Sequence, residues 1–403
     1  MKRFLVATAS CLAITLAAAC GSSSTTAGSG SSGDVIKLMV IADLTAPGFS
    51  FPQIVTGAQA AVNEVNAAGG IDGHQVQLLS CDSQNDPNSA AACARRAVSE
   101  KVSAVVGMQS LQSNGAITVL EKANIASVGG NDIGSLDRTS PISFPLTSTP
   151  SVLFSIVPTM PDHDKCARPG VFSVDVPVAT EAADTITKYY ARKVPNAAPV
   201  RVVSVPVAAT DVSAQVSALL EGGTDCVFLL DPPTLNLAAV KAIYNSGQKV
   251  KISGATPALP PESMKQLGPA AQGVYSTTGF KLPGTNPAAD QYSAAMTAVD
   301  PPAIQDTNSE GAYAGVKIVA SAAKGLPNYE SATVLGALNS LKNIDVGVVS
   351  PMPSFPADSG ISGIPRTFNT YAYSYVFEGD QYRLTTPEPV NVRDQLAELL
   401  ATG

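Results

Sequence analysis

Tryptophan is absent from the 403 residues, histidine occurs twice, and charged residues make up only 14% of the chain. Two histidines, His74 and His163, leave little for a nucleophile or a metal ion to work with. The chain contains no GxSxG, HExxH or GxxxxGK(S/T), and no GxGxxG after a strand, so hydrolase, metalloprotease and nucleotide-binding readings lack their motifs. Zinc is disfavoured by the absence of any CxxC pair. A net charge of -7 with no run of Lys or Arg argues against nucleic acid, whose phosphates are met by clustered cations. Acids such as Asp132 and Asp137 read as helix caps or solvated charges rather than an acid-base pair, and Asp82-Ser-Gln-Asn-Asp86 reads as a capped turn rather than a calcium loop. No catalytic residue, metal or cofactor is expected.

What is present begins with an address. Lys2-Arg3 precedes a largely apolar stretch of 16 residues, Phe4 to Ala19, and small residues lead into Cys20. This resembles a bacterial lipoprotein signal, with residues 1–19 removed, Cys20 lipidated and residues 20–34 a flexible Gly/Ser tether. Leu16 stands four before the cysteine, where the pattern often has Leu at three. No later segment approaches the ~20 apolar residues of a transmembrane helix. Cys11 falls in the signal, so four of the six cysteines remain, in an oxidising compartment. Three pairings are open to them. Favoured are Cys81 with Cys93, one ending a strand and the other two turns into a helix, and Cys166 with Cys226, each just before an apolar strand.

The stretch from Gly57 to Pro87 sets the architecture. Ala58, Ala61, Val62, Val65 and Ala68 recur at helical spacing. Gly69-Gly70 ends the helix, and Asp72-Gly73 turns the chain. Gln75 to Leu79 alternates as a strand, and Asp86-Pro87 caps the next helix. With the apolar run Val35 to Ile41, the order is strand, helix, strand, helix, as in a parallel sheet covered by helices. A second alternation starts after residue 148. Gly170 to Asp175, Val200 to Val205 and Cys226 to Leu230 are expected strands; Thr180 to Arg192, Val212 to Leu220 and Leu235 to Asn245 are expected helices. The fold class is α/β, two doubly wound lobes. Residues 35–148 and 280–343 are assigned to the first lobe, and 149–279 with 344–403 to the second. Tyr371 to Phe377 and Tyr382 to Thr385 form a hairpin added to the second lobe.

The Gly57–Pro87 block, with Ile41-Ala-Asp-Leu-Thr-Ala-Pro-Gly48, Val102-Ser-Ala-Val-Val-Gly107 and Glu310-Gly-Ala-Tyr-Ala-Gly-Val316, resembles the branched-chain amino-acid (Leu/Ile/Val-binding, type I) class of ABC transporter substrate-binding protein. The resemblance covers most of the chain after the tether. It implies two lobes joined by a hinge, a small-molecule ligand between them, ABC permease subunits as partners, a monomer, and a place on the outer face of the cell membrane held by the lipid anchor. A sensor of the same fold, signalling to a membrane receptor without transport, is the alternative.

Ligands of open parallel sheets sit beyond the carboxyl ends of strands. That rule selects Gln109, Ser110 and Leu111 in the loop after the third strand, Asn131 and Asp132 after the fourth, and Asp175 and Asp231 in the second lobe. Phe49 and Phe51 are expected to supply an apolar wall, and Tyr275 a polar-tipped aromatic near the crossover. Two departures from the resembled family bear on the ligand. Leu111 stands where amino-acid binders place a hydroxyl for the ligand carboxylate, and Asp175-Val-Pro-Val178 replaces an aromatic followed by Gly. A ligand less zwitterionic than an amino acid is therefore expected.

Overall fold

A computed structural model describes residues 35–46 and 50–401. The expected signal, Cys20, the tether and Phe49 lie outside them. The first lobe is built on a parallel sheet of β1 (Ile36–Ala42), β2 (Val76–Asp82), β3 (Ala104–Val106), β4 (Ala126–Val128) and β5 (Ser143–Phe144), in the order β2-β1-β3-β4-β5. The second contains β6 (Pro169–Val174), β7 (Arg201–Val205), β8 (Cys226–Leu230), β9 (Lys251–Ala255) and β10 (Tyr275–Thr278), parallel in the order β7-β6-β8-β9-β10. Both lobes thus share one winding scheme. A small ribbon pairs β11 (Lys342–Ile344) with β12 (Met352–Ser354). The expected hairpin is β13 (Tyr371–Glu378) and β14 (Gln381–Leu384); β13 joins the second sheet antiparallel to β10 and also pairs with β15 (Val390–Asn391).

Side-chain alternation along β1 explains how one strand serves two cores. Leu38, Val40 and Ala42 face the helices Gln53–Ala67 and Thr307–Ala323, while Met39 and Ile41 face Pro87–Ser99 and Ser113–Lys122. The helix Gln53–Ala67 buries Ile54, Ala58, Ala61 and Val62, and positive φ at Gly69 (99°) and Gly70 (79°) stops it. Asp86 caps the next helix by accepting from the Ser89 amide at 2.7 Å, with Pro87 at its first position. Glycine is required where Gly129, at φ 77°, lies against the helix Thr307–Ala323: an added Cβ would stand 2.3 Å from the Gly311 carbonyl oxygen.

Both expected disulfides are formed, Cys81–Cys93 and Cys166–Cys226, with Cα atoms 5.6 and 5.8 Å apart. The second pins β6 to its neighbour β8. Residues 344–355 differ from expectation. Ile344, Val348, Val349, Met352 and Phe355 pack into the first-lobe core rather than the second, because the β11–β12 ribbon folds back before the chain crosses over.

Candidate functional site

The chain leaves the first lobe beyond the carboxyl end of β5 and returns beyond the carboxyl end of β10, so the two parallel sheets turn their carboxyl ends toward each other. A third crossing runs through Arg366 to Asn369. Asn369 ties the three crossings together, its amide donating to the Leu146 carbonyl at 3.1 Å and the Gly279 carbonyl at 3.2 Å. Beside it, the buried Arg366 guanidinium lies between the Phe144 and Phe368 rings, 4.7 Å from each centroid. It donates to the Ser143 carbonyl at 2.8 Å and to the carbonyls of Pro141 and Pro356. Burial holds its pKa down at about 10.

Facing loops carry most of the residues that the strand-end rule selects. Asp43 follows β1, fully buried, and its Oδ1 accepts from the Ser83 hydroxyl (2.6 Å), the Asn85 amide (2.7 Å) and the Ser110 hydroxyl (2.9 Å). Ser110 is therefore engaged inside the lobe, and Ser113 likewise donates to Asp137. Leu111 is 40% exposed on the same loop. The carbonyl of Gln109 accepts from the Asp43 amide at 2.9 Å, while its buried side-chain oxygen is unpartnered. Asn131 donates to Asn308 at 2.8 Å, bringing the loop after β4 against the start of the helix Thr307–Ala323. Phe51 is half-buried against the first-lobe core. Asp175 is exposed after β6, and Asp231 is buried after β8.

Tyr275 is placed differently. It opens β10, at the end away from the crossover, and lines a groove of about 580 Å³ on the outer edge of the second lobe with Tyr244, Gln248 and the Cys166–Cys226 pair. Strand direction excludes it from the site: its place in the sequence is near the crossover, but the length of β10 separates the two.

Charge in the cleft is acidic and poorly compensated. Asp132 is fully buried; Oδ1 accepts from the Thr149 amide across the first crossing, and Oδ2 has no partner. Burial raises its pKa to about 7, against the Thr149 bond and the nearby Arg138. Both carboxylate oxygens of Asp231 lack partners, and burial pushes that group up to about 8. Asp137 is held at about 6, burial outweighing its bonds from Ser113 and the Gly134 amide. Residues 43–51, 82–86, 107–113, 129–134, 175–178, 206–212, 231–233 and 256–260 contain no Lys or Arg, while Lys281 in the loop after β10 donates to the Gly347 carbonyl at 2.8 Å.

Other candidates are accounted for locally. Asp82 accepts from the amides of Leu44 and Gln84, and Asp86 serves as the cap already described, so the acidic loop is a turn scaffold. His163 bonds to the Met160 carbonyl and the Tyr189 hydroxyl, and His74 packs edge-on against Tyr329. Among the described residues, the one cluster with metal-ligand spacing is Cys166, Asp225 and Cys226, whose sulfurs are joined to each other. Asp43 is absent from the expected site residues although it follows a strand just as Asp231 does; Thr307, Asn308 and Asn369 join the site only through tertiary packing.

Residues 35–362 match the family model for periplasmic binding protein. The Leu/Ile/Val-binding protein of Escherichia coli strain K12 is 36% identical over 73 residues, 18% of this chain and 20% of that protein, so the match spans about a fifth of the relative's length. Solved structures with the same fold include a branched-chain amino acid transporter substrate-binding protein from Streptococcus pneumoniae in complex with isoleucine (21% identity, TM-score 0.70, covering 88% of this chain and 99% of that one). A solute-binding protein from R. palustris in complex with 4-hydroxybenzoate aligns at TM-score 0.72 and 18% identity, over 89% and 97% of the two chains. A fatty acid ABC transporter substrate-binding protein from Thermomonospora curvata gives 0.71 and 20%, over 90% and 94%. With the family model spanning most of its length, the chain belongs to the periplasmic binding protein family.

Proposed function

We propose that the protein captures a small molecule between its two lobes and delivers it to an ABC permease from the outer face of the cell membrane, where a lipid on Cys20 holds it. The observation that supports this most is the meeting of two sheets' carboxyl ends across the three crossings joined by Asn369, with buried oxygens of Gln109, Asp132 and Asp231 left unpartnered. Crossings of this kind permit hinge closure, and a ligand contacting both inner faces shifts the population toward the closed form that a permease reads. Leu111 in the family's hydroxyl position supports a ligand without the amino-acid zwitterion.

Thermal-shift screening against amino acids, amides, short acids and apolar metabolites tests the capture role. A ligand at about 100 times its dissociation constant adds about 2.7 kcal/mol of stability. Micromolar binding of leucine, isoleucine or valine would overturn the reading of Leu111, and turnover of a bound compound would replace capture with catalysis. For the anchor, Cys20→Ser should move the protein from the membrane to the soluble fraction of expressing cells; a variant that stays membrane-bound would refute lipidation at that site.

A further inference from the structure

At the base of the cleft, where the crossings meet, lies a small cavity of about 10 Å³ bounded by Leu146, Thr147, Val152, Pro257, Phe280 and Thr307. It lies between the lobes: Thr307 opens a first-lobe helix and Thr147 follows β5, while Val152 packs on the second-lobe core and Pro257 follows β9. Thr147 and Thr307 are 8% and 2% exposed, and neither hydroxyl has a hydrogen-bond partner. Asp132 adjoins Thr147, its amide donating to the Thr147 carbonyl at 3.2 Å. Buried polar groups are rarely left unpartnered, and the space accommodates one group the size of a water molecule.

The unpartnered groups in the lining are two hydroxyls. The Thr147 and Thr307 hydroxyls are both free to accept, and no Lys or Arg lines the cavity to receive an anion. We infer that the ligand enters this cavity with an uncharged hydrogen-bond-donating end, an amide or an alcohol, and not with a carboxylate. A carboxylate would be buried in a lining that holds no Lys or Arg, whereas an N–H or O–H can donate to the free hydroxyl oxygens. The inference rests on the capture role proposed above and narrows its ligand class. It departs from isoleucine, 4-hydroxybenzoate and the fatty acid of the structural relatives, all of which are carboxylates.

Matched sets decide the point: isoleucine, 4-hydroxybenzoate and octanoate, each beside its amide and its alcohol, measured by thermal shift and calorimetry on the full chain. The expected result is that at least one amide or alcohol binds at least tenfold more tightly than its parent acid. Tighter binding of the acids overturns the inference and leaves capture standing. Absence of binding in all of these compounds overturns the inference for these ligand bodies, and capture itself falls only if the wider screen is also empty. For the tightest amide or alcohol, Thr147→Val and Thr307→Val should each weaken binding about tenfold while Thr147→Ser and Thr307→Ser retain it; full affinity in folded Val variants overturns the assignment of the cavity. Should a Val variant not fold, the matched sets on the unaltered chain remain decisive.

Discussion

Replacing Asp231 with Asn should make the protein's stability less sensitive to pH, and the size of the effect follows from the burial of that carboxyl. Its pKa rises from 3.8 when exposed to about 8 in the fold, because burial penalises the charge and no side chain donates to either oxygen. Between those values the folded state holds a proton that the unfolded chain has released. Stability contributed by this group is therefore present at low pH and lost as pH rises toward the folded pKa. At about pH 5 the proton favours the fold by roughly 4 kcal/mol, and at about pH 8 by less than roughly 0.5 kcal/mol. An amide at this position carries no such dependence, so the Asp231→Asn variant should gain about 3.5 kcal/mol on the unaltered chain across that range. Asp132, Asp137 and Glu310 are also raised by burial, but they titrate in both proteins and cancel in the difference. Urea denaturation followed by tyrosine fluorescence at about pH 5, 6, 7 and 8 measures it. A stability difference that stays constant with pH would refute the argument, because it would mean that Asp231 is ionised in the fold and paired.

Three further outcomes follow from the packing. Without reductant, the unfolded chain should show no free thiol from Cys81, Cys93, Cys166 or Cys226; removing the Cys166–Cys226 bridge, with a separation of 60 residues, should cost about 4 kcal/mol, against about 3 for Cys81–Cys93 at 12. Thiol titration and urea midpoints check both, and titratable thiols would overturn the pairing. Asn369→Ala removes the two bonds that join the crossings, each worth about 1 kcal/mol, and should loosen the lobes; an unchanged radius of gyration in X-ray scattering with an unchanged midpoint would refute that role. Gly129→Ala should lower stability by more than about 2 kcal/mol, since its Cβ would sit 2.3 Å from the Gly311 oxygen at a φ of 77°; a midpoint equal to that of the unaltered chain would contradict the close approach.

Local signals make most of the architecture legible. The helix Gln53–Ala67, its glycine stop and the Asp86 cap follow from periodicity, positive-φ glycine and capping chemistry, which act within a few residues, whereas the three-residue strand β3 is marked only by the family resemblance of Val102 to Gly107. Lys251–Ala255 carries no comparable signal, since Gly254 interrupts it, whereas Asn286-Pro287 opens the helix Pro287–Val299 with the same kind of cap as Asp86-Pro87. For the candidate site, the strand-end rule picks out Asp231, Asn131 and Gln109, which do stand in the loops after β8, β4 and β3, because it needs only strand direction. Tyr275, chosen for its nearness to the crossover in sequence, lies at the far end of its own strand, and the strand-end rule also selects Ser110, whose hydroxyl Asp43 engages.

By itself, then, the sequence determined the alternation of strands and helices, favoured the two disulfide pairings and marked the strand-end loops as candidate ligand sites, because each is written in short-range chemistry or in strand order. Tertiary structure alone decided that Asn369 binds crossings 90 and 223 residues upstream in the chain, that the 344–355 ribbon belongs to the first lobe, and that Thr147 and Thr307 share one cavity. Those juxtapositions depend on how two separately wound sheets meet, and no local pattern of residues encodes that meeting.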